Sequence, residues 1–150
     1  MIVAVTFLSG AGSAFAVNKA LSSLVNHDYV TAYKEFKIVA DQGDAPAQFN
    51  LGIMCKNGKG VPQDYTEAFK WFHMAADQGH VRAQYNVARM YYEGQGVKQD
   101  YVLAYMWADL AGVRGDAVAQ KLQETIAALI TPAQFAEAKK MALEWKPKTK

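Results

Sequence analysis

The sequence predicts an all-α fold, an array of stacked helix pairs, on three observations. The stretch "GKGVPQDYTEAFKWF" from Gly58 to Phe72 returns as "GQGVKQDYVLAYMWA" from Gly94 to Ala108, offset by 36 residues. Aligning 47–79 with 83–115 gives 14 identities in 33 positions without a gap, where average residue frequencies give about two. Within each copy the apolar positions keep helical spacing: Ala47, Leu51, Met54 and Cys55 in the first half, Tyr65, Ala68, Phe72 and Ala75 in the second. Each copy is thus a pair of amphipathic helices, A and B. A period of roughly 20–50 residues marks units that bury their faces only by stacking on their neighbours.

From the N-terminus, "MIVAVTFLSGAGSAFA" carries no charge and ends in the small-x-small pattern Ala14-Phe15-Ala16. Residues 1–16 read as a secretory leader cut after Ala16, because the apolar stretch Ile2–Ala16 is shorter than the roughly 20 residues a membrane span needs. Residues 18–26 leave room for a short A-like helix. Asp28, Asp64 and Asp100 then stand before the three B stripes, where a short acidic side chain accepts hydrogen bonds from the open first turn. Gly58 and Gly94 suit the left-handed residue that ends helix A, and Val61 and Val97 anchor the loop that follows. Gly43, Gly79 and Gly115 stop helix B. Ala32, Ala68 and Ala104 let helices approach closely, and Trp71 and Trp107 supply bulk between units. After the third A helix, "DAVAQKLQETIAAL", no Gly-x-Gly-Val follows. Instead Thr131, Pro132 and Gln134 open a final helix as a capping box, with Phe135, Ala138, Ala142 and Trp145 on its apolar face, a lid for the last unit. The organisation is a leader, 1–16; one domain, 17–145, with a partial repeat at 18–43, full repeats at 44–79 and 80–115, and a partial repeat plus cap at 116–145; and a basic tail, 146–150.

Composition sets bounds on function. With 150 residues, 51% hydrophobic and 20% charged, the chain is globular and long enough for a true core. The net charge of +2 is accounted for by Lys146, Lys148 and Lys150, so no basic stripe of a nucleic-acid binder is present. Cys55 is the single cysteine, on the apolar side of helix A, and reads as a buried inert thiol. His27, His73 and His80 lack metal-ligand spacing and read as surface residues. "GIMCKNGKG" has the wrong spacing for a phosphate loop, and no Gly-x-Ser-x-Gly or Ser-x-x-Lys occurs. Glu93 and Asp109 are isolated acids. No catalytic residue, metal or cofactor is expected.

The pattern Ala47-x3-Leu51-Gly52, then Gly58-x-Gly60-Val61-x2-Asp64-x3-Ala68-x2-Trp71-x3-Ala75-x3-Gly79, resembles the Sel-one-like repeat, a relative of the tetratricopeptide repeat. Three positions depart from it: Ala88 replaces the helix A glycine, Lys98 replaces the loop proline, and Glu35 stands where later copies have Trp. The resemblance implies a right-handed α/α superhelix whose A helices line a concave groove that binds other proteins. At 100° per residue, Phe49, Ile53 and Lys56 face that groove, followed by Tyr85, Arg89 and Tyr92, then by Lys121, Thr125 and Ala128; the alternative for Phe49 and Tyr85 is packing between adjacent A helices. Aromatic residues around an arginine match the composition of binding hot spots. Asn50 and Asn86 recur at one position and suit a peptide backbone. The expected function is non-catalytic: a bacterial envelope or secreted module that binds a protein or peptide, with no nucleic-acid partner and no membrane insertion once the leader is removed. The alternatives are a cell-wall hydrolase or regulator, and end-to-end self-association of an otherwise monomeric chain through an uncovered array end.

Overall fold

Eight α-helices follow one another in the computed structural model, which describes residues 11–149: α1 (Ala11–Val25), α2 (Tyr29–Asp41), α3 (Ala45–Asn57), α4 (Tyr65–Asp77), α5 (Val81–Glu93), α6 (Tyr101–Gly112), α7 (Ala117–Ala127) and α8 (Pro132–Glu144). Helices α1, α3, α5 and α7 are A helices, and α2, α4 and α6 are B helices. From α1 to α7 each packs on the next in chain order, which is a solenoid.

The helix starts follow their chemistry. The side chains of Asp28, Asp64 and Asp100 accept from the backbone N–H of Thr31, Glu67 and Leu103 at 2.9–3.1 Å. Asp44 and Asp116 do the same for α3 and α7. Thr131 and Gln134 form the expected capping box on α8. Two hydrogen bonds hold the loop after each full A helix. Asp64 and Asp100 donate their backbone N–H to the carbonyls of Cys55 and Tyr91, and Gln63 and Gln99 donate side-chain amides to the carbonyls of Lys56 and Tyr92. Gly60 and Gly96, at φ 75° and 69°, lie against the first residue of the preceding B helix. A Cβ on either would run into the carbonyl of Tyr29 or Tyr65. The glycine pair thus sets the spacing between units as well as the turn.

One continuous core joins the helices, from Ala16 and Ala20 on α1 to Ala138 and Ala142 on α8. Ala32, Ala68 and Ala104 are fully buried, and Trp71 and Trp107 are buried between units. Lys37 of α2 lies over the Trp71 ring at 5.2 Å, and His73, one repeat on, meets Trp107 edge-on at 5.3 Å. Glu35, at the corresponding position of the first B helix, pairs with Lys19 of α1 instead.

One expectation changes. The first A helix is longer than expected: among the described residues α1 runs Ala11–Val25, unbroken through Ala16, and packs on α2. Most of the expected leader, residues 1–10, lies outside the described residues. The last helix caps the array. It runs along α6, with Phe135 on Tyr105 at 5.1 Å, Trp145 edge-on to Trp107 at 6.1 Å, and Lys139 bound to Asp109 at 2.9 Å. Asp109 also accepts from Gln123 of α7, so this buried carboxylate ties three helices together and is not isolated.

Candidate functional site

The A helices are aimed by a device that repeats with the sequence. Gln48, Gln84 and Gln120 each donate their side-chain amide to a carbonyl near the end of the preceding B helix, that of Ala40, Ala76 and Gly112. Each bond closes an open helix terminus from inside and fixes where the next A helix begins. The period of 36 at glutamine was visible in the sequence, yet a polar residue on a helix has no distinguishing pattern until its partner is in place.

On that frame, the six predicted contact residues occupy different environments. Phe49 is packed into the core at 7% exposure, stacked on His80 at 4.7 Å and tilted on Phe72 at 5.8 Å, with the Arg82 guanidinium over its ring at 5.1 Å. Ile53 and Lys56 are half-buried, Ile53 against the core. Tyr85, Arg89 and Tyr92 are half-buried along α5. Burial, followed by the charges of Glu93 and Asp116, raises the Tyr85 phenol above its ordinary value and keeps it a neutral donor. The Arg89 Nε lies 3.7 Å from Glu93 and has no hydrogen-bond partner among the described residues. The Tyr92 ring meets that of Tyr101 at 5.8 Å, at the loop end of the helix. Lys121, Thr125 and Ala128 of α7 are exposed. Asn86 is turned inward and donates to the carbonyl of Arg82, whereas Asn50 is half-buried.

The histidines correct the reading of all three as surface residues. His27 is exposed, but His73 is wedged among Phe69, Trp107 and Asp77, and His80 caps α5. His80 Nδ1 accepts from the N–H of Ala83 at 3.2 Å, where Asp44 and Asp116 serve the neighbouring A helices. Burial, then the charge of Arg82, holds its pKa below the ordinary value, in keeping with a ring nitrogen that must stay unprotonated to accept. Cys55 is buried and burial pushes its thiol pKa up, away from reactivity. Among the described residues there is no group of three His, Cys, Asp or Glu placed to hold a metal, and no helix long and apolar enough to cross a membrane.

Residues 45–80 and 81–116 each match the Sel1 repeat. Among solved structures, c5321, a protective antigen present in uropathogenic Escherichia coli strains and displaying an SLR fold, is similar with a TM-score of 0.82 and 28% identity. The match covers 89% of this chain and 29% of the antigen's, so the chain spans less than a third of that protein. A Sel1 repeat protein from Oxalobacter formigenes is similar with a TM-score of 0.70 and 31% identity, over 75% of this chain and 88% of its own. No curated protein matches.

Proposed function

The chain belongs to the Sel1 repeat family, whose folds serve protein interaction, and from that premise we propose that it is a non-catalytic module binding a protein or peptide segment along its A helices. The observation that carries this reading is the α5 face. Arg89 is half-buried with its Nε enclosed and only loosely paired with Glu93 at 3.7 Å, so its terminal guanidinium N–H groups, not the buried Nε, are the donors a partner meets. Tyr85 beside it offers a neutral phenol on a rigid, half-buried ring. A backbone carbonyl or carboxylate of a partner segment completes such an arginine, and the rings supply contact area at low entropic cost.

The test is chemical cross-linking and capture from an envelope extract, with the full chain beside a variant carrying Tyr85→Ala, Arg89→Ala and Tyr92→Ala. Circular dichroism must first show equal helix content. The identified partner should then bind the variant at least tenfold more weakly, since hot-spot truncations cost about 2 kcal/mol or more each. Equal affinity for both proteins removes the A-helix face from the function. Export to the envelope is a further part of this reading, supported by the uncharged small-residue run of 1–16. Mass spectrometry of the mature N-terminus decides it: a start at Val17 supports export, and an intact Met1 in the cytosolic fraction opposes it.

A further inference from the structure

The segment that follows α8 returns across the molecule. Trp145 leaves the helix with φ −65° and ψ 137°, and both it and Pro147 come against Gly79 in the α4–α5 loop. Lys148 then makes two bonds to the last residue of α4. Its backbone N–H donates to the carbonyl of Asp77 at 2.7 Å, and its Nζ to the Asp77 carboxylate at 2.6 Å. Thr149 reaches a cavity of about 310 Å³ bounded by Gly43, Gln48, Met74, Asp77 and Gln78. Gly43 is the counterpart of Gly79 one repeat back, so the five residues of the strap, 145–149, cross one whole unit along the loops that join B helices to A helices.

The strap fills this edge unevenly. At the Gly79 loop a Trp and a Pro are packed in, whereas at the Gly43 loop the small Thr149 leaves the cavity open. A volume near 300 Å³ is at the lower end of ligand pockets and exceeds what threonine needs. The anchor beside it is mostly enclosed: the Asp77 carboxylate is 15% exposed, with His73 Nδ1 of its own helix 3.4 Å away. The Asp77 carbonyl, one of those a helix leaves open at its C-terminal end, accepts a backbone N–H and so asks only that the occupant be a chain of no particular sequence. Specificity comes from the carboxylate and the cavity.

We propose that this loop edge is a recognition site for a non-helical segment of a partner protein that carries a lysine followed directly by a large apolar residue, and that Trp145–Thr149 is its cis occupant. The lysine takes the place of Lys148 on Asp77, and the apolar side chain fills the space that Thr149 leaves. A tethered segment competes at an effective concentration of order millimolar, so the strap holds the site against weak ligands and yields to one that fills the cavity. The site shares no residue with the Tyr85, Arg89 and Tyr92 face, and stands or falls independently of it.

The experiment uses isotope-labelled full-length protein carrying Lys148→Glu, which sets like charges together at Asp77 and frees the edge. Three capped peptides serve as probes: Lys-Pro-Lys-Thr-Lys, Lys-Pro-Lys-Leu-Lys and Lys-Pro-Glu-Leu-Lys. Saturable shifts of the Gly43, Asp77 and Gln78 amide signals are expected with the first two, the leucine peptide binding about tenfold more tightly, and the glutamate peptide at least tenfold more weakly than its lysine twin. Adding Met74→Asp, at a side chain exposed enough to tolerate the change, should abolish the preference for leucine with the helical spectrum intact. Equal affinity for all three peptides, or shifts confined to α5, overturns the proposal.

Discussion

Helix pair α3/α4 carries Phe72 beneath Gly52, whereas pair α5/α6 has Ala108 and Ala88 at the same two positions. The reason is spatial. A Cβ on Gly52 would stand 2.6 Å from the Phe72 ring, so the large ring and the missing side chain belong together. Where the ring is absent, alanine is accommodated and both members are fully buried. Volume moves elsewhere in compensation: Cys55 in the first unit corresponds to Tyr91 in the second, which meets Phe69 edge-on at 5.2 Å. The two units therefore share backbone geometry and caps but distribute core volume differently. A substitution is tolerated according to its partner in space, not its place in the repeat.

The largest test of this comparison is Phe72→Ala, which should cost about 3–5 kcal/mol in urea unfolding by emptying the first unit's core. Gly52→Ala alone should cost about 1–3 kcal/mol by overpacking against the ring. Combined, the two should cost clearly less than their sum, because the double variant reproduces the Ala88/Ala108 pairing of the second unit. Strict additivity in the cycle would break the comparison.

A smaller difference separates the two glutamine clamps. Gln48 is satisfied at both ends, donating to Ala40 and accepting from Gln78, but Arg114 stands at the Gln78 position in the second unit and donates to Gly79 instead. The Gln84 carbonyl oxygen is left buried and without a partner. Gln48→Ala should thus destabilise more than Gln84→Ala, by about 1 kcal/mol, the net worth of one hydrogen bond. Equal losses in chemical unfolding would show that the orphaned oxygen carries no penalty.

The smallest effect distinguishes the caps. His80 has a folded pKa below its unfolded value of about 6.5, so the unfolded chain binds more protons in the window between the two. The cap's contribution is complete above about pH 6.5 and is lost as pH falls through the folded value. Thermal unfolding from pH 7 to pH 5 should show this loss in the native chain and a flatter profile in His80→Asp, which copies the caps of α3 and α7. A parallel pair of profiles would mean that His80 does not titrate with folding.

Much of this molecule was legible from periodicity. The duplicated stretch located α3 to α6 within a residue or two, and the three aspartates and the Thr131–Gln134 box named their own caps. These are local features: a cap, a turn and an amphipathic stripe act within a few residues of chain. Helical spacing alone likewise puts Tyr85 and Arg89 one turn apart on α5. The same arithmetic placed Phe49 on the groove side of α3, and packing against Phe72 and His80 makes it core.

By itself the sequence determined the number of units, their helical character and their stacking order, because each depends on short-range pattern repeated at a fixed step. Tertiary structure alone decided where α8 lies, which acid it grips through Lys139, how the strap crosses from Gly79 to Gly43, and which glutamine keeps an orphaned oxygen. Each joins residues about 30 or more apart in the chain. Such pairings have no period to announce them, and they form only when packing brings complementary groups within hydrogen-bond reach.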